Sequence, residues 1–510
     1  MPSKVKSKQP KKTPVASART VAPWVKSLER QVQPAAALIR RITSAISRFC
    51  AAHPKTMTVL KWLVVYAFFW FIAWQRLDPD FGWHLRSGQY IIKNGIPAKD
   101  IYTYSAPNFP WINHEWGYDV LIAHVYGWWH GWELLASLAA LVWASALIVA
   151  ARPRAQLYLL ITAAFAISPY AGIRPQALTL LFFVLLLRVH TYLKRKHGNF
   201  VWLIPLLFIP WANLHAGFVI GLALLAYFAI KERSPKWAAV FVLSVLTTFV
   251  NPYGPSLYVE VARTMFDRSL HTQIIEWYIF HVPMPSRTFI ILWGATFWIY
   301  KKKKKFDTWF DLGPLMLLAA MSATRNIPLF VVVTVAEVGG YLRLTRKAIP
   351  KKMNTPSLAM LTLLAVVFVS WLYLSYGETF AHFQAPRDSY YPVQSANYIR
   401  EHGCAGGNLF NNYNFGGYLI WKLPEHKVFI DGRMPSWRDE NGVKYIDRGG
   451  KIYAESAAQK AEFKKLNIRC AILGGGAQSR KLRERLLKQG WTQPFDQPNS
   501  IVLMAPKTSN

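Results

Sequence analysis

Apolar residues in this chain gather in long blocks separated by short polar stretches. The blocks fall at about 59–74, 133–151, 156–172, 176–193, 200–214, 217–230, 237–250, 287–300, 308–321, 327–342 and 357–375. A bilayer-spanning helix needs roughly 17–25 apolar residues, so the pattern predicts a polytopic α-helical membrane protein of roughly eleven transmembrane helices, several of them short. The pattern changes after the last block. Helical periodicity at 393–402, 454–466 and 479–489 alternates with strand-like runs at 427–431, 468–473 and 500–504, which predicts a small α/β domain. Three regions follow: a tail over 1–55, a multi-span domain over 56–376 and a C-terminal α/β domain over 377–510.

Basic residues mark one side of the membrane. The tail carries many Lys and Arg against the single acid Glu29, and its Pro- and Ser-containing start cannot bury a core. Within 35–49, Leu38, Ile42, Ile46 and Phe49 recur at helical spacing among Arg40, Arg41 and Arg48, the pattern of an amphipathic helix on an anionic leaflet. The tail is too long for the n-region of a signal peptide, so the first span is expected to remain as an anchor. Arg152/Arg154, Lys194–Lys196, Lys231/Arg233/Lys236, Lys301–Lys305 and Arg343–Lys352 all fall in loops on the tail's side, which the positive-inside rule makes cytoplasmic. The C-terminal domain is then extracytoplasmic and the cell membrane is the expected location.

Composition narrows the class further. Of 510 residues, 53% are hydrophobic and only 17% charged, which excludes a soluble enzyme and a disordered protein. The formal net charge of +34 belongs mainly to topology, and no aromatic–basic recognition module accompanies it, so nucleic acid is not an expected partner. Three cysteines exclude a dense disulfide framework; Cys404 and Cys470 either pair or remain as buried thiols. Gly474-Gly475-Gly476 lacks the Gly-Lys-Ser/Thr ending of a phosphate loop and reads as a tight turn.

Candidate chemistry lies in the loops opposite the basic side. Where the first span ends, the sequence runs Leu77-Asp78-Pro79-Asp80-Phe81-Gly82-Trp83-His84. Proline disfavours helical geometry in the residue before it, and in an extended segment residues two apart face the same way. Both carboxylates are therefore expected to face one cavity, where they split their pKa values, hold a metal or let one serve as base; a solvated Asx turn is the plainer alternative. Trp83 to Lys93 suggests an interfacial helix, and His114-Glu115 adds an imidazole and a further acid. Short loops on the same side carry Arg174, Asn213 with His215, and Arg325 with Asn326; each alone reads as an anchor or cap, and together they suggest a shared site.

An Asp-x-Asp after the first span, followed by amphipathic helices and further spans, resembles the GT-C glycosyltransferases, which include protein O-mannosyltransferases, aminoarabinose transferases and oligosaccharyltransferases. The resemblance covers about 59–345. It implies Asp78 or Asp80 as catalytic acid residue or metal ligand, with a divalent metal at Asp80 as the cofactor to test for. It implies polyprenyl-phosphate sugars as donors, with Arg174 and Arg325 on the lipid phosphate; His84, His114, Glu115, Asn213 and His215, from the same loops, are expected to contact substrate. Asn411-Asn412-Tyr413-Asn414-Phe415-Gly416-Gly417-Tyr418 is similar to the oligosaccharyltransferase Trp-Trp-Asp-Tyr-Gly motif but lacks the double Trp and central Asp, so transfer to Asn in sequons is not implied. From Gly416 through Asp431-Gly432-Arg433 the sequence is more similar to bacterial membrane proteins of this build. The expected activity is sugar transfer from the lipid-linked donor to a glycan, lipid or protein acceptor at the outer face. Asp78, nearer the span and drier, is the expected base. The rivals are a transporter or flippase of a lipid-linked intermediate, a polysaccharide polymerase or ligase, and a surface-assembly scaffold.

Overall fold

The computed structural model describes residues 33, 34, 37, 41, 52–151, 157–196, 199–279, 292–298, 311–345 and 388–506. The amphipathic stretch expected at 35–49 falls outside these apart from helical positions 37 and 41, and the block at 357–375 lies outside entirely. Met1–Leu60 and Lys61–Asn510 form separate compact units. The first long helix among the described residues is α1 (Pro54–Gln75).

Helices dominate the described residues up to 345. After α1 come α2 (Phe81–Asn94), α3 (Trp116–Tyr126), α4 (Gly131–Ala151), α5 (Leu157–Ile167), α6 (Gln176–Lys196), α7 (Ile204–Leu214), α8 (Phe218–Glu232), α9 (Pro235–Thr247), α10 (Ser256–Met265), α11 (Leu312–Ser322) and α12 (Ile327–Thr345). Among the described residues, three helical stretches are long and apolar enough to cross a membrane: Thr58–Gln75, Gly131–Ala151 and Gln176–Leu193. The expected count of eleven is thus not reached by the described helices. Two of the blocks that fall short are interrupted: that at 156–172 passes into a 3₁₀ turn at Ser168–Tyr170. That at 200–214 divides into a 3₁₀ turn, Asn199–Leu203, and α7, which has proline at its start and Pro210 inside. Proline withholds an N–H from the helical ladder and crowds the preceding turn. Their core holds Phe69, Trp143, Phe183, Phe208, Trp211, Phe218 and Phe330, all fully buried.

The C-terminal segment is α/β as expected. It contains α13 (Val393–His402), β1 (Asn408–Asn411), α14 (Gly416–Lys422), α15 (Tyr445–Ala454), α16 (Ser456–Lys465), β2 (Ile468–Gly474), α17 (Ala477–Lys488), β3 (Thr492–Asp496) and β4 (Ser500–Met504). The sheet order is β1-β2-β4-β3, with β1 parallel to β2 and the other pairs antiparallel. Cys404 and Cys470 form a disulfide, with their Cα atoms 5.2 Å apart, within the usual range. The strand expected at 427–431 is instead a single bridge, Thr103 to Val428, made with the loop after α2.

That bridge belongs to a broad contact between the C-terminal segment and α2. A Cβ on Gly82 would stand 2.0 Å from the carbonyl oxygen of Gly417, and one on Gly417 would stand 2.1 Å from that of Pro79. Only glycine at both positions lets these backbones meet. Phe81 packs edge-on against Trp132 and Trp421, which places it in a core shared by both regions. Buried Arg433 clamps the contact, with Nη1 2.8 Å from Asp100 and Nη2 2.7 Å from Asp431.

Candidate active site

The two aspartates occupy a turn, where an extended segment was expected. Asp80 N donates to Asp78 Oδ1 at 2.9 Å, an Asx turn, and Asp80 adopts φ −91°, ψ −13° as the residue before α2. Proline constrains the residue before it and leaves the one after free to enter helical space. The carboxylates consequently have different surroundings. Asp78 is buried and its Oδ2 accepts from Arg174 Nε. Half-buried Asp80 accepts from Trp83 Nε1 at 2.9 Å. Burial, then the neighbouring Asp78 charge, raise the Asp80 carboxyl to about 6, against the opposing pull of His84.

The loops expected on one side do meet here. Arg174, between α5 and α6, reaches Asp78 with Nε and Glu276 with Nη1 at 2.6 Å. The Arg174 guanidinium and the burial-opposed charges of Arg325 and Arg76 hold the Glu276 carboxyl down at about 2. Arg325 lies over the Trp277 ring, 4.5 Å from its centroid. Thr324 ties this corner together, its N–H donating to Tyr278 O at 3.2 Å and its hydroxyl to Ile275 O and Glu276 O. Arg76, at the end of α1, donates to Pro169 O, at the turn leading to Arg174.

A second cluster stands behind α2. His84 Nδ1 lies 2.5 Å from Asp119 Oδ1, and Asn113 Nδ2 donates to Asp119 Oδ2 at 2.7 Å. Burial disfavours the imidazolium, but Asp119, then Glu115 and Asp80, raise His84 to about 9. The Glu115 carboxylate has the Nε2 atoms of His84, His114 and His215 at 3.7, 3.9 and 3.5 Å. Burial raises Glu115 to about 7, with His84 opposing, and burial lowers His114 to about 4. His215 Nδ1 accepts from Gly217 N at 3.0 Å and lies 2.7 Å from Thr179 Oγ1, which turns Nε2 toward Glu115. Asn213 differs from the others. Its Oδ1 accepts from Trp116 Nε1 and its Nδ2 donates to Ile209 O and Val250 O, so the side chain brackets helix ends and has no free N–H for a ligand.

The C-terminal segment forms another wall. A Cβ on Gly432 would stand 1.8 Å from Asp80 Oδ1. Tyr413 donates to Gly432 O at 3.3 Å, and Tyr391 donates to Leu77 O at 2.9 Å beside the aspartate turn. The Asn411–Tyr418 motif therefore reaches the aspartates, through Gly417 on Pro79 and Tyr413 on Gly432.

A divalent ion such as Mg²⁺ is held by one or two carboxylates, with waters completing about six oxygen ligands. Asp78 has one oxygen on Arg174 and the other in the turn, and Asp80 has one on Trp83. Among the described residues, no group of three or more His, Cys, Asp or Glu is arranged to hold a metal ion.

Sequence reasoning gave no role to Arg76, Asp119 and Glu276, and named Gly432 only as part of the Asp431-Gly432-Arg433 run. Asp119 and Glu276 had a usable signal: each is an acid inside an apolar stretch, Trp-Gly-Tyr-Asp-Val-Leu-Ile and Ile-Ile-Glu-Trp-Tyr-Ile. Gly432 had none, because its role is a contact between segments hundreds of residues apart.

No protein-family model and no curated protein matches the chain. Solved structures do. The archaeal oligosaccharyltransferase AglB from Archaeoglobus fulgidus, in complex with an inhibitory peptide and a dolichol-phosphate, aligns with a TM-score of 0.53 at 12% identity, over 83% of this chain and 70% of that one. The apo form of the Archaeoglobus fulgidus oligosaccharyltransferase gives 0.51 at 12% identity, over 82% and 70%. Its form tethered to an acceptor peptide containing the NVT sequon gives 0.53 at 11%, over 83% and 70%. At such identities the likeness is one of fold alone.

Proposed function

We propose that this chain is a glycosyltransferase that moves a sugar from a polyprenyl-phosphate-linked donor to an acceptor at the outer face of the cell membrane. The observation that carries the reading is the convergence of Asp78, Asp80, Arg174, Glu276 and Arg325 in a chain whose fold is like that of solved oligosaccharyltransferases. The one-sided basic loops support a cytoplasmic N-terminus and an outward C-terminal domain.

In the reaction, an acceptor hydroxyl oxygen bonds to the anomeric carbon while the bond from that carbon to the donor phosphate oxygen breaks. Asp80 takes the hydroxyl proton. Its carboxyl, raised to about 6, is ionised at neutral pH yet basic enough to accept that proton, the compromise a general base requires. Asp78 is less suited, because it is bound to Arg174, so the base moves to Asp80 from the residue expected on dryness alone. Asp78 instead aims Arg174. Charge growing on the departing phosphate is met by Arg174 and Arg325, fixed before the reaction begins. His84, held cationic by Asp119, helps keep Asp80 ionised. Glu115, His114 and His215 line the acceptor side, and Asn213 positions α3 against α7. No step is routed through a metal.

The test compares two isosteric variants. Asp80→Asn should lower turnover by about 10²-fold or more, the general-base scale, with donor affinity retained. Asp78→Asn should mainly weaken donor binding, since it releases Arg174. Wild-type turnover in Asp80→Asn would remove the proposed base.

A further inference from the structure

Arg174 presents a conflict. A guanidinium that is to grip a donor phosphate has its Nε on Asp78 and its Nη1 on Glu276. One carboxylate must yield before phosphate can enter. Asp78 is locked twice, by Arg174 and by the turn hydrogen bond from Asp80 N. Glu276 is held more loosely: its side chain is 29% exposed against 7% for Asp78, and it sits on a single 3₁₀ turn, Ile275–Trp277. Arg76 and Arg325 also act on the Glu276 charge; both are half-buried, and neither has an acidic partner within ion-pair distance among the described residues.

We infer that Arg76, Arg174 and Arg325 form a phosphate subsite which Glu276 fills as an internal anion until the phosphate of the lipid donor displaces it. The inference rests on the glycosyltransferase reading and adds to it Arg76, an occupant and a charge preference. With Glu276 in place, two carboxylates are ion-paired within this group, both to Arg174. With Glu276 displaced, only the Asp78 pair remains and the group gains one unit of positive charge. A phosphate monoester carries about −1.5 to −2 near neutral pH, so the emptied subsite matches the departing polyprenyl phosphate better than the singly charged diester that enters. Protonation does not release Glu276, whose carboxyl stays ionised down to about 2. Entry is therefore a competition between anions.

The experiment measures binding of a short-chain polyprenyl phosphate, with the matching polyprenol as control, to the full chain and its variants in detergent. An internal occupant present about nine-tenths of the time lowers apparent affinity about tenfold, so Glu276→Gln should bind the phosphate about tenfold more tightly with polyprenol binding unchanged. Glu276→Ala should gain as well, which guards against a folding defect in either variant. Arg76→Gln should lose affinity for the phosphate alone. Phosphate-selective binding by wild type without a gain in either Glu276 variant overturns the internal-anion inference and spares the transferase. Absence of phosphate selectivity in wild type and variants alike overturns both.

Discussion

Substitution of Gly432 by alanine tests whether the C-terminal domain is part of the catalytic centre. The added Cβ would stand 1.8 Å from Asp80 Oδ1. A carbon–oxygen contact settles at about 3.3 Å or more, so one partner must retreat by about 1.5 Å. Asp80 cannot retreat freely, because its N–H and Oδ1 are engaged by Asp78 and Trp83. Gly432 lies between Asp431 and Arg433, both fixed in the buried ion cluster. Strain of this kind costs about 1–3 kcal/mol of stability. A misplacement of about 1 Å in a reacting group costs about 10²-fold in rate. Gly432→Ala should therefore lower kcat about 100-fold with donor affinity nearly unchanged and a modest fall in Tm. Gly449→Ala is the control, since its Cβ would meet nothing closer than Phe429 at 3.7 Å, and its rate should match wild type. Sugar transfer by purified protein and thermal unfolding of the same samples supply both readouts. A wild-type rate in Gly432→Ala would refute the claim that this domain touches the base.

Activity should fall as pH drops through about 6, where Asp80 takes up its proton, and a flat profile between pH 5 and 7 (about one unit either side) would count against Asp80. His84, raised to about 9 in the folded protein, contributes stability that is fully present below its ordinary 6.5 and is lost as pH rises through 9. Asp119→Asn should remove that dependence, as unfolding midpoints across pH 6 to 10 (about the span of both values) can show. Arg433→Ala leaves two carboxylates buried without their partner and should cost about 3–5 kcal/mol in denaturant unfolding. Single-cysteine labelling at Asn108 and Lys303 should report opposite faces of the membrane; labelling from one face would sink the orientation.

Legibility in the sequence followed the range of the interactions. The helix at Val393–His402 and the strand at Ser500–Met504 were readable because their apolar positions recur at local spacing. β1 and β3 were not: Asn-Leu-Phe-Asn is too short to show a period, and Thr-Gln-Pro-Phe-Asp carries a proline on an edge strand. The expected strand at 427–431 is apolar because it is buried against Phe410 of β1 and the loop after α2, and it meets β1 through the Asn411 side chain in place of a backbone ladder. Within the site, Asp78, Asp80, Arg174 and Arg325 stood out as polar residues at the ends of apolar blocks. Which carboxylate is free was not readable, since it depends on Arg174, separated from Asp78 by 96 residues.

The central claim is tested most directly by radiolabelled sugar transfer from a polyprenyl-phosphate donor in proteoliposomes, with transbilayer movement of the donor followed in the same vesicles. The account predicts label leaving the lipid for an acceptor, dependent on Asp80 and without movement of intact donor across the bilayer. Movement of intact donor with no label transferred, unchanged by Asp80→Asn, would contradict it and make the chain a transporter.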